Sequence, residues 1–129
     1  MIKTLHNKLW PIFSQYIRLR DCLKTTGTRE YGACITCKQV KPFQLLDAGH
    51  FMSIRRMPTR YDERNVNAQC KACNGFRAGE QYKYGLELEK MYDPNTVTEL
   101  VDLSKTTRKF KPYELQEMID IYKAKVKEL

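Results

Sequence analysis

The sequence lacks any apolar run long enough to span a bilayer, and its start, MIKTLHNKLW, is broken by His6, Asn7 and Lys8. No signal peptide and no membrane role are therefore read, and a cytoplasmic location is expected. There is no internal repeat, low-complexity tract or flexible linker, so a repeat array or a chain of tethered domains is excluded. A chain of 129 residues is expected to form one domain, 1–129, compact with helical extensions. Hydrophobic content of 42% and charged content of 29% are too ordinary to signal disorder.

Acidic residues are in short supply: 15 Asp and Glu stand against 23 Lys and Arg, for a formal charge of +8. A pI near 9.3 favours a polyanionic partner, nucleic acid being the commonest, with plain solubility as the bland alternative. Binding Zn²⁺ through four thiolates would lower the charge only to about +6, so the sign survives.

Five cysteines in a reducing compartment argue against a disulfide framework. Cys34 and Cys37 form one Cys-x-x-Cys, Cys70 and Cys73 a second, and Cys22 is left over as a plain thiol. Two such pairs supply the four soft ligands of a tetrahedral structural zinc site. A thioredoxin-like redox role would leave the second pair without a function.

Leu9, Ile12, Phe13, Tyr16 and Ile17 predict an N-terminal helix over residues 1–22, with Pro11 in its first turn. Residues 33–40 predict a knuckle between short strands, and 45–51 a strand ending at His50. A turn or short strand is expected at 60–62, and a helix from about Cys70–Cys73 that runs on or restarts after Gly79. Tyr82, Leu86, Leu88 and Met91 form its expected inward stripe. Asp93-Pro94 predicts a helix start, and Pro112 opens a last helix whose stripe from Leu115 to Leu129 either docks on the core or forms a dimer seam. The fold class is α+β: a core over 33–92, the N-terminal helix, and a C-terminal helical extension over 93–129.

Three residues among and beside the knuckles carry a candidate chemistry. Phosphodiester hydrolysis needs a deprotonated water, and the imidazole of His50 has a pKa suited to that work. A hard divalent ion, Mg²⁺ or Mn²⁺, would cover the phosphate and the leaving oxygen, and Asn74 offers it an amide oxygen. Asn65 can pin the loop that orients His50. His6 is expected in solvent. Arg55, Arg56, Arg60 and Arg64, close to His50, are candidates for DNA phosphate contact, against the bland reading of a solvated charge run. Lys105, Arg108, Lys109 and Lys111 form a second basic cluster. Tyr82 and Tyr84 are candidates for stacking on bases, with core packing expected for at least one.

The strings Cys34-x-x-Cys37, Asp47-Ala48-Gly49-His50, Asn65 and Cys70-x-x-Cys73-Asn74 resemble the zinc-containing HNH (His-Me finger) nucleases, phage endonuclease VII among them. The longer strings YIRLRD (16–21), RYDERNVNAQCKACN (60–74) and GEQYKYGL (79–86) resemble the NinG/Rap recombination nucleases of lambdoid phages, over roughly residues 8–128. The resemblance implies a ββα-metal core and Mg²⁺-dependent cleavage of branched DNA such as Holliday junctions and D-loops, inside a bacterial host. One departure stands out. Endonuclease VII-type sites carry a metal-binding aspartate directly before the histidine, where this chain has Gly49. Asp47 points the same way on an extended strand but further back, and a bulge at Ala48-Gly49 would bring it in. Asp62 and Glu63 are the other candidate carboxylates.

The leading expectation is a structure-selective DNA endonuclease, with a homodimer supplying two symmetric cuts. The alternatives are a non-catalytic zinc-finger DNA-binding or adaptor protein, and a nuclease of ordinary duplex.

Overall fold

A computed structural model describes residues 1–129. Helix α1 (Ile2–Thr26) buries Leu9, Phe13 and Ile17, a four-residue spacing that keeps them on one face. It ends where Gly27, at φ 77°, turns left-handed and its N–H reaches the carbonyl of Leu23. The helix begins nine residues before Pro11, so this proline sits in the interior rather than in the expected first turn. Its ring faces solvent, and burial of the flanking Leu9 and Phe13 offsets the missing N–H.

Strands β1 (Tyr31–Ala33) and β2 (Val40–Pro42) form a short hairpin around the first knuckle. Strand β3 (Leu46–His50) pairs antiparallel with β4 (Val66–Cys70), in unbroken register from Leu46 opposite Cys70 to His50 opposite Val66. Between them, residues 57–60 form a helical turn, α2 (Met57–Arg60), where the sequence suggested only turns or a short strand. Beyond the second knuckle comes a five-residue π-helical turn (Ala72–Phe76), then α3 (Gln81–Met91), α4 (Thr96–Ser104) and α5 (Pro112–Glu128). The expected helix after Cys73 is thus interrupted and restarts past Gly79, whose φ is 86°.

Leu46 and Ala48 face α1, and so do Ala68 and Val66 across the ladder. The C-terminal stripe docks instead of forming a seam: Leu115, Ile119 and Tyr122 of α5 pack against Leu9 and Phe13, with Tyr122 edge-on to Phe13 at 4.8 Å. Glu63 fastens this corner, accepting from the Tyr122 hydroxyl at 2.8 Å and the Lys125 ammonium at 3.0 Å. The YIRLRD string does similar work. Arg20 donates to the carbonyls of Glu63 and Val66, and Asp21, itself buried, accepts the Ala68 N–H at 2.7 Å. Asp21 thereby covers part of the outer edge of β4.

A second core joins Ile35, Phe51, Tyr84, Leu88 and Leu100. Here the inward face of α3 keeps Leu88 and Met91 of the expected stripe, but Tyr82 and Leu86 are exposed and Tyr84 is buried in their place. The Tyr84 hydroxyl, which donates to the Gly49 carbonyl at 2.6 Å, fixes that rotation. In the linker to α4, Asp93 accepts the N–H of Asn95 and the helix starts at Thr96, slightly later than expected.

Candidate metal centre and active-site groove

The two knuckles meet. The Sγ atoms of Cys34, Cys37, Cys70 and Cys73 lie within 4.8 Å of one another, and Cys37 and Cys70 are 3.7 Å apart. Four thiolates around one Zn²⁺ at about 2.3 Å would sit roughly 3.8 Å from each other, so the donor set and spacing suit that ion. The N–H groups of Cys37 and Cys73 point at Sγ of Cys34 and Cys70, both at 3.5 Å, and Arg77 donates to Cys73 Sγ at 3.4 Å. Burial opposes ionisation of Cys34, yet hydrogen bonds from Cys37, Cys70 and Thr36 outweigh it and bring its pKa down to about 6. The leftover Cys22 is fully buried beside Leu46 and Ala68, and burial pushes its thiol up.

His50 ends β3 half-buried. Its Nε2 lies 3.0 Å from the Arg60 carbonyl, and its ring stacks on Trp10 with centroids 5.1 Å apart. Burial lowers its pKa, the Arg60 charge adds to that, and the bond to the Arg60 carbonyl opposes it.

Asn65 is fully buried. Its Oδ1 accepts the Met52 N–H at 2.7 Å, while Nδ2 donates to the carbonyls of Met52 and Thr59, each at 3.0 Å. The loop after His50 is thus closed on itself by one amide side chain.

Asp47 and Asn74, remote in sequence, touch: Asn74 Nδ2 donates to Asp47 Oδ2 at 3.1 Å, and Lys71 pairs with Oδ1 at 2.6 Å. The regular β3–β4 register shows that no bulge achieves this. The turn after Cys73 carries Asn74 back to the strand instead. The other candidate carboxylates are committed elsewhere, Asp62 to Arg64 and Glu63 to α5. Two adjoining hollows, of about 460 and 470 Å³, share Trp10, Ala48 and Asn74. Asp47 lines one and His50 the other, so both open onto a single trough between α1, β3 and residues 74–81.

Gln69 crowds the position at which endonuclease VII-type sites carry an aspartate. A Cβ there would run into the Gln69 amide oxygen and lie 3.0 Å from Gln69 Cβ. Gln69 is held by donating to Thr36 Oγ1 at 3.2 Å and the Gly79 carbonyl at 2.8 Å, which leaves its buried Oε1 without a hydrogen-bond partner, facing Gly49.

The arginines separate. Arg55 and Arg56 are exposed, Arg60 bonds back to the Ile54 carbonyl at 2.7 Å, and Arg64 is claimed by Asp62 and Glu99. Arg64 therefore ties its loop to α4. In the second basic cluster, Arg108 pairs with Glu114 and stacks on Phe110, while Lys105, Lys109 and Lys111 are exposed. Tyr84 is fully buried, which removes it as a base-stacking candidate. His6 is not solvated either, because Nδ1 meets the Tyr61 hydroxyl at 2.7 Å. Sequence reasoning missed Trp10, since nothing in the spacing of a lone tryptophan on α1 announces a partner forty residues away.

Fold and site together define a small α+β protein in which a four-cysteine cluster, placed to hold one zinc ion, clasps an antiparallel strand pair bearing a histidine. The chain belongs to the NinG family: the family model described as Bacteriophage Lambda NinG protein matches residues 2–129. It is 35% identical over 68 residues to protein ninG of Escherichia phage 933W and 34% identical over 68 residues to that of Escherichia phage lambda. Each match covers 52% of this chain and 33% of the relative. Protein ninG of Salmonella phage P22 is 38% identical over 56 residues, 43% of this chain and 27% of the relative. The chain thus aligns with about a third of the length of these curated relatives. No solved structure matches it. No helix is long and apolar enough to cross a membrane.

Proposed function

We propose that this chain is a metal-dependent DNA endonuclease, with a ββα-metal core, that hydrolyses phosphodiester bonds in branched recombination intermediates. The observation that supports the reading best is that Asn74 touches Asp47 and that Asp47 and His50 line adjoining hollows sharing Asn74. Because a carbonyl only accepts, the Arg60 oxygen holds the proton on His50 Nε2 and leaves Nδ1 as the basic nitrogen. His50 takes a proton from water at that atom, and Trp10 holds the ring in place while Asn65 fixes the loop behind it.

Asp47 and the Asn74 amide, turned to present its oxygen, make the small hard-oxygen set that Mg²⁺ or Mn²⁺ accepts. Such an ion, when bound, neutralises the phosphate and stabilises the leaving oxygen. Lys71, with its side chain 57% exposed, can exchange Asp47 for a substrate phosphate, and Arg55 and Arg56 hold the backbone further along. The Cys34, Cys37, Cys70, Cys73 site holds structural zinc. The preference for branched DNA comes from family resemblance, and two chains related by a twofold axis would supply the paired cuts a four-way junction needs.

The test is cleavage of matched linear duplex and four-way junction with Mg²⁺ by the zinc-loaded chain, beside His50→Ala and Asp47→Ala of verified zinc content. Junction cutting should fall at least about 100-fold in either variant. Equal cutting of linear duplex would remove the recombination role. Binding without cutting, under Mg²⁺ and Mn²⁺ alike, would overturn the enzyme and leave the zinc-finger binder.

A further inference from the structure

Two residues beyond Asn74 stands an aromatic ring that neither core accounts for. Phe76 is 96% exposed, although the backbone beneath it is firmly tied. The N–H of Arg77 reaches the Ala72 carbonyl at 2.9 Å, and that of Gly79 reaches Cys73 at 2.8 Å. The Gly79 carbonyl in turn receives Gln69 Nε2. Ala78, Gly79 and Glu80 hold positive φ in succession, at 50°, 86° and 51°, a costly conformation for the two that are not glycine. The loop is thus ordered at both ends while it holds an apolar ring in water, where the hydrophobic effect would favour covering it.

The surroundings indicate what covers it. Arg77 follows the ring, and Lys71 and Lys83 are exposed on the same segment, each in a solvent-facing ion pair, with Asp47 and with Glu80, the lone acid there. Ala78, Gly79 and Gln81 of this segment line the His50 half of the trough, with Ser53 and Ile54 as their counterparts, next to exposed Arg55 and Arg56. A flat apolar face set among cations matches a nucleobase and its phosphates. In continuous duplex both faces of each base are taken by its neighbours. A ring exposed on the segment that also lines the trough can stack only on a base whose neighbour has been lost, as at a branch or in a single strand.

We propose that Phe76 is the group by which this site recognises unpaired bases, so that it sets the preference for branched or single-stranded DNA over linear duplex. Tyr82, 80% exposed at the start of α3, stands on the same segment as a second face. The inference rests on the reading of the trough as a DNA site but not on cleavage.

The experiment is therefore one of binding. The zinc-loaded chain, in Ca²⁺ so that cutting does not intervene, is titrated against linear duplex, single strand and a four-way junction carrying 2-aminopurine at the branch. Phe76→Ala, at a site too exposed to disturb folding, should weaken junction and single-strand binding by about tenfold and leave duplex binding within about twofold. It should also abolish the 2-aminopurine quench, and Phe76→Trp should restore both. An equal loss on duplex and junction, or no loss on any DNA, would overturn the proposal, and failure to bind DNA at all would overturn it together with the proposed function. If the wild-type chain binds but never cuts, the nuclease reading falls while a selective loss in Phe76→Ala still supports this one.

Discussion

The Nε2 of His50 stands 3.0 Å from the carbonyl oxygen of Arg60, ten residues further along the chain. That contact fixes the tautomer of the imidazole, and with it the nitrogen on which a proton can be received. It depends on the helical turn at 57–60, which carries Arg60 back over the end of β3. The pairing of Asp47 with Asn74 on the same trough depends in a parallel way on the turn after the second knuckle.

The pH dependence follows from His50. Burial, the larger cause, lowers its pKa from 6.5, so the neutral base persists below the usual histidine range. The acid limb of cleavage should therefore have its midpoint below pH 6.5, and titration of the ring by NMR should show the same midpoint. The sign for stability agrees: the depressed pKa contributes stability present above 6.5 and lost as pH falls through the lowered value. A midpoint at or above 6.5 would contradict the burial and bonding of the ring.

Gly49→Ala should destabilise the fold by about 1–3 kcal/mol, because the new methyl has to displace a Gln69 side chain anchored at two points. Gly49→Asp should be worse, and should not create a tighter metal site. Denaturant midpoints of Gly49→Ala, Gln69→Ser and the double variant form the check. The pair should be coupled by roughly 0.5–3 kcal/mol, and strict additivity would refute the contact.

Asn65→Ala leaves a Met52 N–H and two carbonyls without their partner, at a cost on the order of 3 kcal/mol. Asn65→Asp should fare no better, since a carboxylate would face the carbonyls of Met52 and Thr59. Equilibrium unfolding of both variants distinguishes this clamp from a merely polar surface site, at which aspartate would be tolerated.

Metal content should be one zinc per chain, lost in Cys34→Ser or Cys73→Ser. Structural zinc contributes on the order of 10 kcal/mol of folding free energy in small domains, so stripping the metal should abolish cooperative thermal unfolding. A metal-free chain that still melted cooperatively at the same temperature would refute a structural role for the cluster.

The cysteine pairing was legible in residue types alone, because thiolates at Cys-x-x-Cys spacing have few other uses together. The strand ending at His50 and the amphipathic ends of the chain were legible for a similar reason: local periodicity reports which face is buried. The sequence left open whether the helix after Cys73 runs on or restarts past Gly79, and positive φ at Ala78 and Glu80, which decides for the restart, has no counterpart in their side chains. The same holds for the rotation of α3, where Tyr84 rather than Tyr82 turns inward because of a hydroxyl bond to the Gly49 carbonyl on a distant strand.

By itself, then, the sequence determined the four cysteines of the candidate zinc site, the candidate base, the basic surface and the two docking helices, all properties of residue type and short-range spacing. Tertiary structure decided that Asp47 meets Asn74, that Gln69 crowds the space a side chain at Gly49 would need, that Arg64 pairs with Asp62 and Glu99, and that Trp10 covers His50. These are contacts between residues far apart in the chain. They exist only once packing has chosen which surfaces face each other, a choice that local pattern does not encode.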